Sequence, residues 1–198
     1  MADDIVRYGG SRKRRRQPLK ATAEGLERAA QRYLERYDTA SGHLRRLLLA
    51  KVALSARIHG TDPQEGAATV ERLVQRFLEA GVLDDARYAR QRVESLRGRG
   101  TSRAMIRARL AAKGLSKADI DAALAAELEG SLEQGDFPAA VTYAKRRRLG
   151  PFRLEDRQER RERDLAALGR QGFDYETARR VIDCGDAEEL LAALSPEE

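Results

Sequence analysis

Ala112-Lys113-Gly114-Leu115-Ser116 and, further along, Arg170-Gln171-Gly172-Phe173-Asp174 are the stretches that decide the fold. Each reads as the end of one helix, a glycine that can turn left-handed, and a polar residue that caps the next helix. In both, a leucine (Leu110, Leu168) stands four residues before the glycine. In both, an apolar pair (Ala123-Leu124, Val181-Ile182) stands nine and ten residues after it. Matched caps with matched apolar spacing imply a repeated helical unit.

The repeat extends outward. Tyr33, Tyr88 and Tyr143 are each 55 residues apart, and each falls on the first helix of its round. Leu44 and Leu48 keep the spacing of Ile106 and Leu110, but Val52 stands where a glycine is expected, so that helix should run on. The first helix starts near Glu24, with Leu26, Ala30, Tyr33, Leu34 and Tyr37 on one face. Asp62-Pro63-Gln64-Glu65 is a helix start, with Asp as cap and Pro at the first helical position. Val70, Leu73, Val74, Phe77 and Leu78 follow as its buried stripe, and Gly81 ends it. Asp84 or Asp85 opens the next round, with Tyr88, Ala89, Val93 and Leu96 inward, then Met105, Ile106 and Leu110, then Ile120, Ala123, Leu124 and Leu128. Pro138 opens a third round that Gly150-Pro151 interrupts. No segment alternates with period two for long enough to argue a strand.

The expectation is an all-α chain built as an elongated array of three tandem three-helix modules. Its divisions are a disordered basic tail (1–23), modules at 24–82, 83–134 and 135–185, and a short C-terminal helix or tail (186–198). A unit of about 50 residues buries too little surface to be secure alone, so neighbours must share the load.

Composition agrees. Of 198 residues 41% are hydrophobic and 35% charged, with no Trp and four Phe, so cores should be thin and rich in Ala and Leu. No apolar run is long enough to span a membrane, and the N-terminus does not read as a secretory signal. Cys184 stands alone, as in a protein of the reducing cytoplasm. The net charge is +6, but residues 1–20 hold seven Lys/Arg against two Asp, so the body is almost neutral. The tail reads equally as a phosphate-binding arm or as a solvated segment.

Charge in the body is segregated. Residues 84–113 carry nine Lys/Arg against three acids, and residues 143–163 carry nine against four. Residues 114–136 carry one Lys against six Asp/Glu. Arg99, Arg103 and Arg107 recur every four residues, which places them on or near one helical face. With Lys113, Arg146 and Arg147 they are the candidate partner-binding residues, weighed against an ordinary solvated face. No catalytic constellation is present: His43 and His59 lack ligand-spaced partners, so no metal site, cofactor or enzymatic activity is expected. Asp84 and Asp85 read as helix caps rather than as a metal pair.

Gly81-Val82-Leu83-Asp84-Asp85-Ala86-Arg87-Tyr88-Ala89 resembles the Gly-x-Leu-Asp-Asp-x-x-(Tyr/Phe)-Ala signature of the RecX family, bacterial regulators of the RecA recombinase. Ser41-Gly42-His43-Leu44, Gly100 through Ile106, Lys113-Gly114-Leu115 and Gly172-Phe173 with Arg179-Arg180-Val181-Ile182 extend the resemblance over roughly residues 24–185. Val52 departs from it, and the basic tail lies outside it. The resemblance implies an elongated, curved array of three tandem three-helix modules that binds in the groove of the RecA filament, limiting its extension or favouring disassembly, with lower strand exchange, ATP hydrolysis and co-protease activity. Apart from the resemblance, the chain is expected to be a monomer with no more than weak, non-specific DNA contact through its tail and arginine stripes. Asp84, Asp85 and Tyr88 match the family motif as structural residues. The alternative is a helix-turn-helix DNA-binding regulator turning at Lys113-Gly114-Leu115-Ser116. The helix after that turn carries Asp119, Asp121 and Glu127, a poor match to phosphates.

Overall fold

The computed structural model describes residues 18–129 and 135–194, with the side chains of residues 128 and 129 left out. The side chain of Leu128 and most of the basic tail therefore lie outside what is described. The described chain is helical, without a strand. The helices are α1 (Ala23–Leu34), α2 (Ser41–His59), α3 (Pro63–Glu79), α4 (Asp85–Arg97), α5 (Arg103–Lys113), α6 (Lys117–Glu129), α7 (Phe137–Arg147), α8 (Arg157–Arg170), α9 (Tyr175–Asp183) and α10 (Ala187–Ala192). A 3-10 turn, Gly150–Phe152, lies between α7 and α8.

Three separate apolar clusters hold these helices in groups. Leu26, Leu44, Leu48, Val70, Val74 and Phe77 join α1–α3. Tyr88, Val93, Ile106, Leu110, Ile120 and Leu124 join α4–α6. Phe137, Val141, Leu165, Leu168, Val181 and Ile182 join α7–α9, with Leu190 of α10 added. Each fully buried aliphatic side chain contributes about 1.5–3 kcal/mol relative to exposure. Two residues cross the simple divisions: Leu83 packs in the first cluster and Ala40 in the second.

Local chemistry sets the helix ends. Thr22, Asp62, Asp84, Ser102, Asp174 and Asp186 each accept a hydrogen bond from a first-turn amide of the helix that follows. Gly114 closes α5 in the left-handed region, at φ +86°. Val52 does let α2 run on, to a left-handed Gly60. The space for its isopropyl group comes from α3, because a Cβ on Gly66 would fall 2.5 Å from Val52 Cγ1. Two expectations need correction. Tyr37 lies beyond the end of α1 and is 56% exposed, since the helix stops at Leu34 and the chain turns away. α7 closes on left-handed Arg148 (φ +53°), not on Gly150-Pro151, which form the separate 3-10 turn.

The groups meet through one kind of joint, used twice. At the first joint Asp85 on α4 accepts from the Ser41 backbone N–H (2.7 Å) and from its Oγ (2.6 Å). It thus caps α2, whose own N-cap residue Ala40 offers no side-chain acceptor. At the second, Asp136 at the start of α7 accepts from the Arg103 backbone N–H at 3.0 Å, capping α5 from the following group. A glycine seals each joint. Gly114 lies so close to Gly42 that a Cβ on Gly42 would sit 2.5 Å from the Gly114 carbonyl oxygen. Gly172 lies against Ser102 and Ala104, and the Ser102 hydroxyl donates to the Gln171 carbonyl at 2.5 Å. Asp85→Ala leaves the buried Ser41 N–H and hydroxyl without their acceptor. It is expected to cost about 1–3 kcal/mol, seen as a lower urea midpoint with an unchanged slope.

Candidate partner-binding surface

Asp84 and Asp85 have distinct roles. Asp84 Oδ1 accepts from Arg87 N at 2.8 Å and caps its own helix, whereas Asp85 caps α2 across the joint. Tyr88 is buried in the second cluster, and that burial raises its phenol pKa. These three residues are structural in geometry.

The expected arginine stripe is only partly formed. Arg99 precedes the N-cap Ser102 and sits in the turn between α4 and α5, so helical spacing does not carry it onto the face of Arg103 and Arg107. Gly100 forces that turn: at φ +73° it packs on α7, where a Cβ would lie 2.5 Å from Tyr143 N. Arg103 points across its own group, donating to the Leu124 carbonyl at 2.7 Å and lying 3.9 Å from Glu127. Arg107 pairs with Asp121 at 3.1 Å in an exposed bridge, an interaction worth about 0–1 kcal/mol.

Arg99, Lys113, Arg146 and Arg147 are exposed, and none has an ion pair with a described residue. Lys113 ends α5, where a positive charge favours the negative end of the helix dipole. Its charge reaches the first joint: the His43 pKa is lowered, first by burial and then by Lys113 and Arg46. Arg46 also donates to the Ala112 carbonyl at 2.7 Å. The Arg146 guanidinium lies 5.9 Å from the Tyr143 ring centroid, a spacing at which a cation and an aromatic face attract. Arg146 and Arg147 occupy the last turn of α7.

Arg97, one of the nine cations of residues 84–113, is buried, with a side chain only 7% exposed. Its guanidinium donates to Glu127 (2.8 Å), Asp136 (2.5 Å), Gly135 O (2.5 Å) and Thr101 O (3.4 Å). Asp164 is a second buried charge, 1% exposed, and accepts from Gly150 N (2.9 Å) and from both Nε and Nη2 of Arg153 (2.7 Å each). The repeat held a signal for it. Counted from the matched leucines Leu48, Leu110 and Leu168, Asp164 stands where Leu44 and Ile106 fill the other cores. Among the described residues no group of three or more His, Cys, Asp or Glu is placed to hold a metal ion. None of the described helices is long and apolar enough to cross a membrane.

Residues 84–124 match the family described as RecX, second three-helix domain. Regulatory protein RecX of Myxococcus xanthus (strain DK1622) is 39% identical over 189 residues, covering 93% of this chain and 100% of that one. Regulatory protein RecX of Agrobacterium fabrum (strain C58) is 32% identical over 113 residues, covering 56% and 58%. A crystal structure of regulatory protein RecX shares the fold at a TM-score of 0.57 and 20% identity, covering 82% of this chain and 74% of that one. The chain belongs to the RecX family of regulatory proteins.

Proposed function

We propose that this chain is a negative modulator of RecA, binding in the groove of the RecA nucleoprotein filament. There it limits extension or promotes disassembly and lowers strand exchange, ATP hydrolysis and co-protease activity. The observation that carries the reading is the match along nearly the whole chain to a regulatory protein RecX. The geometry supports a binding role: the buried charges tie helix groups together, while Arg99, Lys113, Arg146 and Arg147 remain exposed for a partner. In this reading the chain acts as a cytoplasmic monomer without catalytic residues or cofactor, and its DNA contact is weak and non-specific. The units at 24–82, 83–134 and 135–185 act as modules presenting one long surface.

The helix-turn-helix alternative fits less well, because Gly114 in its turn is already packed against Gly42. The purified chain is expected to suppress DNA-dependent ATP hydrolysis by RecA at sub-stoichiometric ratios. Unchanged hydrolysis in the presence of excess chain would sink the reading. For the contact surface, Arg99→Glu/Arg146→Glu/Arg147→Glu is the informative variant, since reversing Arg103 would also break its tie to Leu124. That variant is expected to keep its helical spectrum and lose inhibition. An unaltered inhibition curve would remove those residues as contacts.

A further inference from the structure

In the third helix group, the end of α7, the loop after it and one face of α8 enclose a cleft of about 430 Å³. Five arginines line it: Arg147, Arg153, Arg160, Arg163 and Arg170. One acid faces them, Asp164, and its carboxylate is already committed to Arg153 and to the Gly150 N–H. The other four guanidinium groups have no side-chain hydrogen bond or ion pair to a described residue. Four uncompensated cations repel one another across a concave surface, an arrangement that favours an anion at its centre.

Two further features mark the cleft. Asp164 replaces the aliphatic residue that Leu44 and Ile106 supply in the other groups, so the repeat is broken at this floor. A buried ion pair is a poor source of stability compared with an aliphatic side chain; here it fixes Arg153 in the cleft wall. The loop forming that wall is also bracketed by Arg148 (φ +53°) and Asp156 (φ +54°), the two non-glycine residues with left-handed backbone among those described. Departures from local preference gather where a protein holds side chains for a task.

We propose that this cleft binds phosphate oxyanions, and specifically the phosphodiester backbone of a single-stranded nucleic acid. Each guanidinium presents a planar fork of donors, and a tetrahedral phosphate can accept from several forks at once. A carboxylate is satisfied by one fork and would leave the others unmatched. The site deepens the DNA contact of the proposed function and shares Arg147 with the surface proposed there, but its test contains no RecA and varies Arg163 and Arg170, so either reading can fail alone.

The test measures binding of the full chain to a labelled oligothymidylate by anisotropy over a series of salt concentrations. Arg163→Gln/Arg170→Gln removes two phosphate contacts. It should weaken binding about tenfold near 0.1 M salt and flatten the log–log salt slope by about 1.4. Arg28→Gln/Arg32→Gln removes the same charge from α1 and should leave both quantities nearly unchanged. Melting in inorganic pyrophosphate is the second arm. If pyrophosphate stabilises the wild type but not the cleft variant while oligonucleotide binding is unmoved, the phosphate chemistry stands and the source is a free phosphate compound. Equal losses from the two arginine pairs, or no effect of the cleft pair in either arm, overturns the proposal.

Discussion

Arg97→Ala is expected to remove about 3–5 kcal/mol of folding stability, against a total of about 5–15 kcal/mol for a typical folded domain. The loss does not come from the missing arginine stem alone. Glu127 and Asp136 are 21% and 14% exposed at their side chains, and both would lose the cation between them. Glu127 Oε2 is already buried without a hydrogen bond. Asp136 would also hold the Arg103 amide less firmly, so the second joint should loosen with the core. Arg97→Lys should fall between wild type and Arg97→Ala, since one ammonium cannot reach four separated acceptors. Equilibrium urea unfolding checks both variants. A cost below about 1 kcal/mol for the alanine variant would mean that water screens the two carboxylates.

Asp164→Ala should be of similar size, about 3–5 kcal/mol, for the reverse reason: it strands a buried donor and a half-buried cation. The Gly150 N–H would lose its acceptor, and Arg153 would lose both bonds of its fork. Asp164→Leu restores the apolar type found at Leu44 and Ile106 but leaves both donors orphaned, so it should not recover the loss. The pH dependence gives a second readout. Burial pushes the Asp164 carboxyl upward, but the Arg153 fork, the Gly150 N–H and the nearby Arg160 charge outweigh it, and the net shift is downward. A carboxyl held below its ordinary 3.8 stabilises the folded state above that pH and withdraws this support as the pH falls below it. Wild type should therefore lose stability on acidification below about 3.8, and the alanine variant should lack that component. Parallel acid curves for the two would contradict the assignment.

These two residues mark the limit of reading from sequence. Helix boundaries were legible because Asp62-Pro63, Ser102, Gly114, Asp174 and their neighbours act within one turn, where spacing along the chain is spacing in space. Core faces were legible for the same reason, as at Val70, Val74 and Phe77. What failed were inferences that treated charge as a surface property. Arg97 has the same local signature as Arg90 or Arg99, and its burial depends on Asp136, 39 residues away. Arg99 keeps the four-residue spacing of Arg103 and Arg107, but Gly100 breaks the helix that would give the spacing meaning. Asp85 was legible as a cap but not as the cap of a helix 44 residues earlier. Arg146 and Arg147, singled out by the density of their charge run, are exposed because they occupy the last turn of α7.

The joint between helix groups also bears on how the chain is made. Asp85 and Asp136 each complete a helix that was synthesised before them. Emerging from the ribosome, α2 has no acceptor for its first amide until residue 85 has been added, 44 residues after Ser41. At typical elongation rates that is a wait of roughly 2–9 s. The first group thus stays unlatched until the second begins to appear, and the first amide of α5, at Arg103, waits for Asp136 although Ser102 already caps that helix locally. Assembly proceeds as a zipper whose teeth are closed from the newer side, and a chain cut short at a group boundary ends with an open tooth.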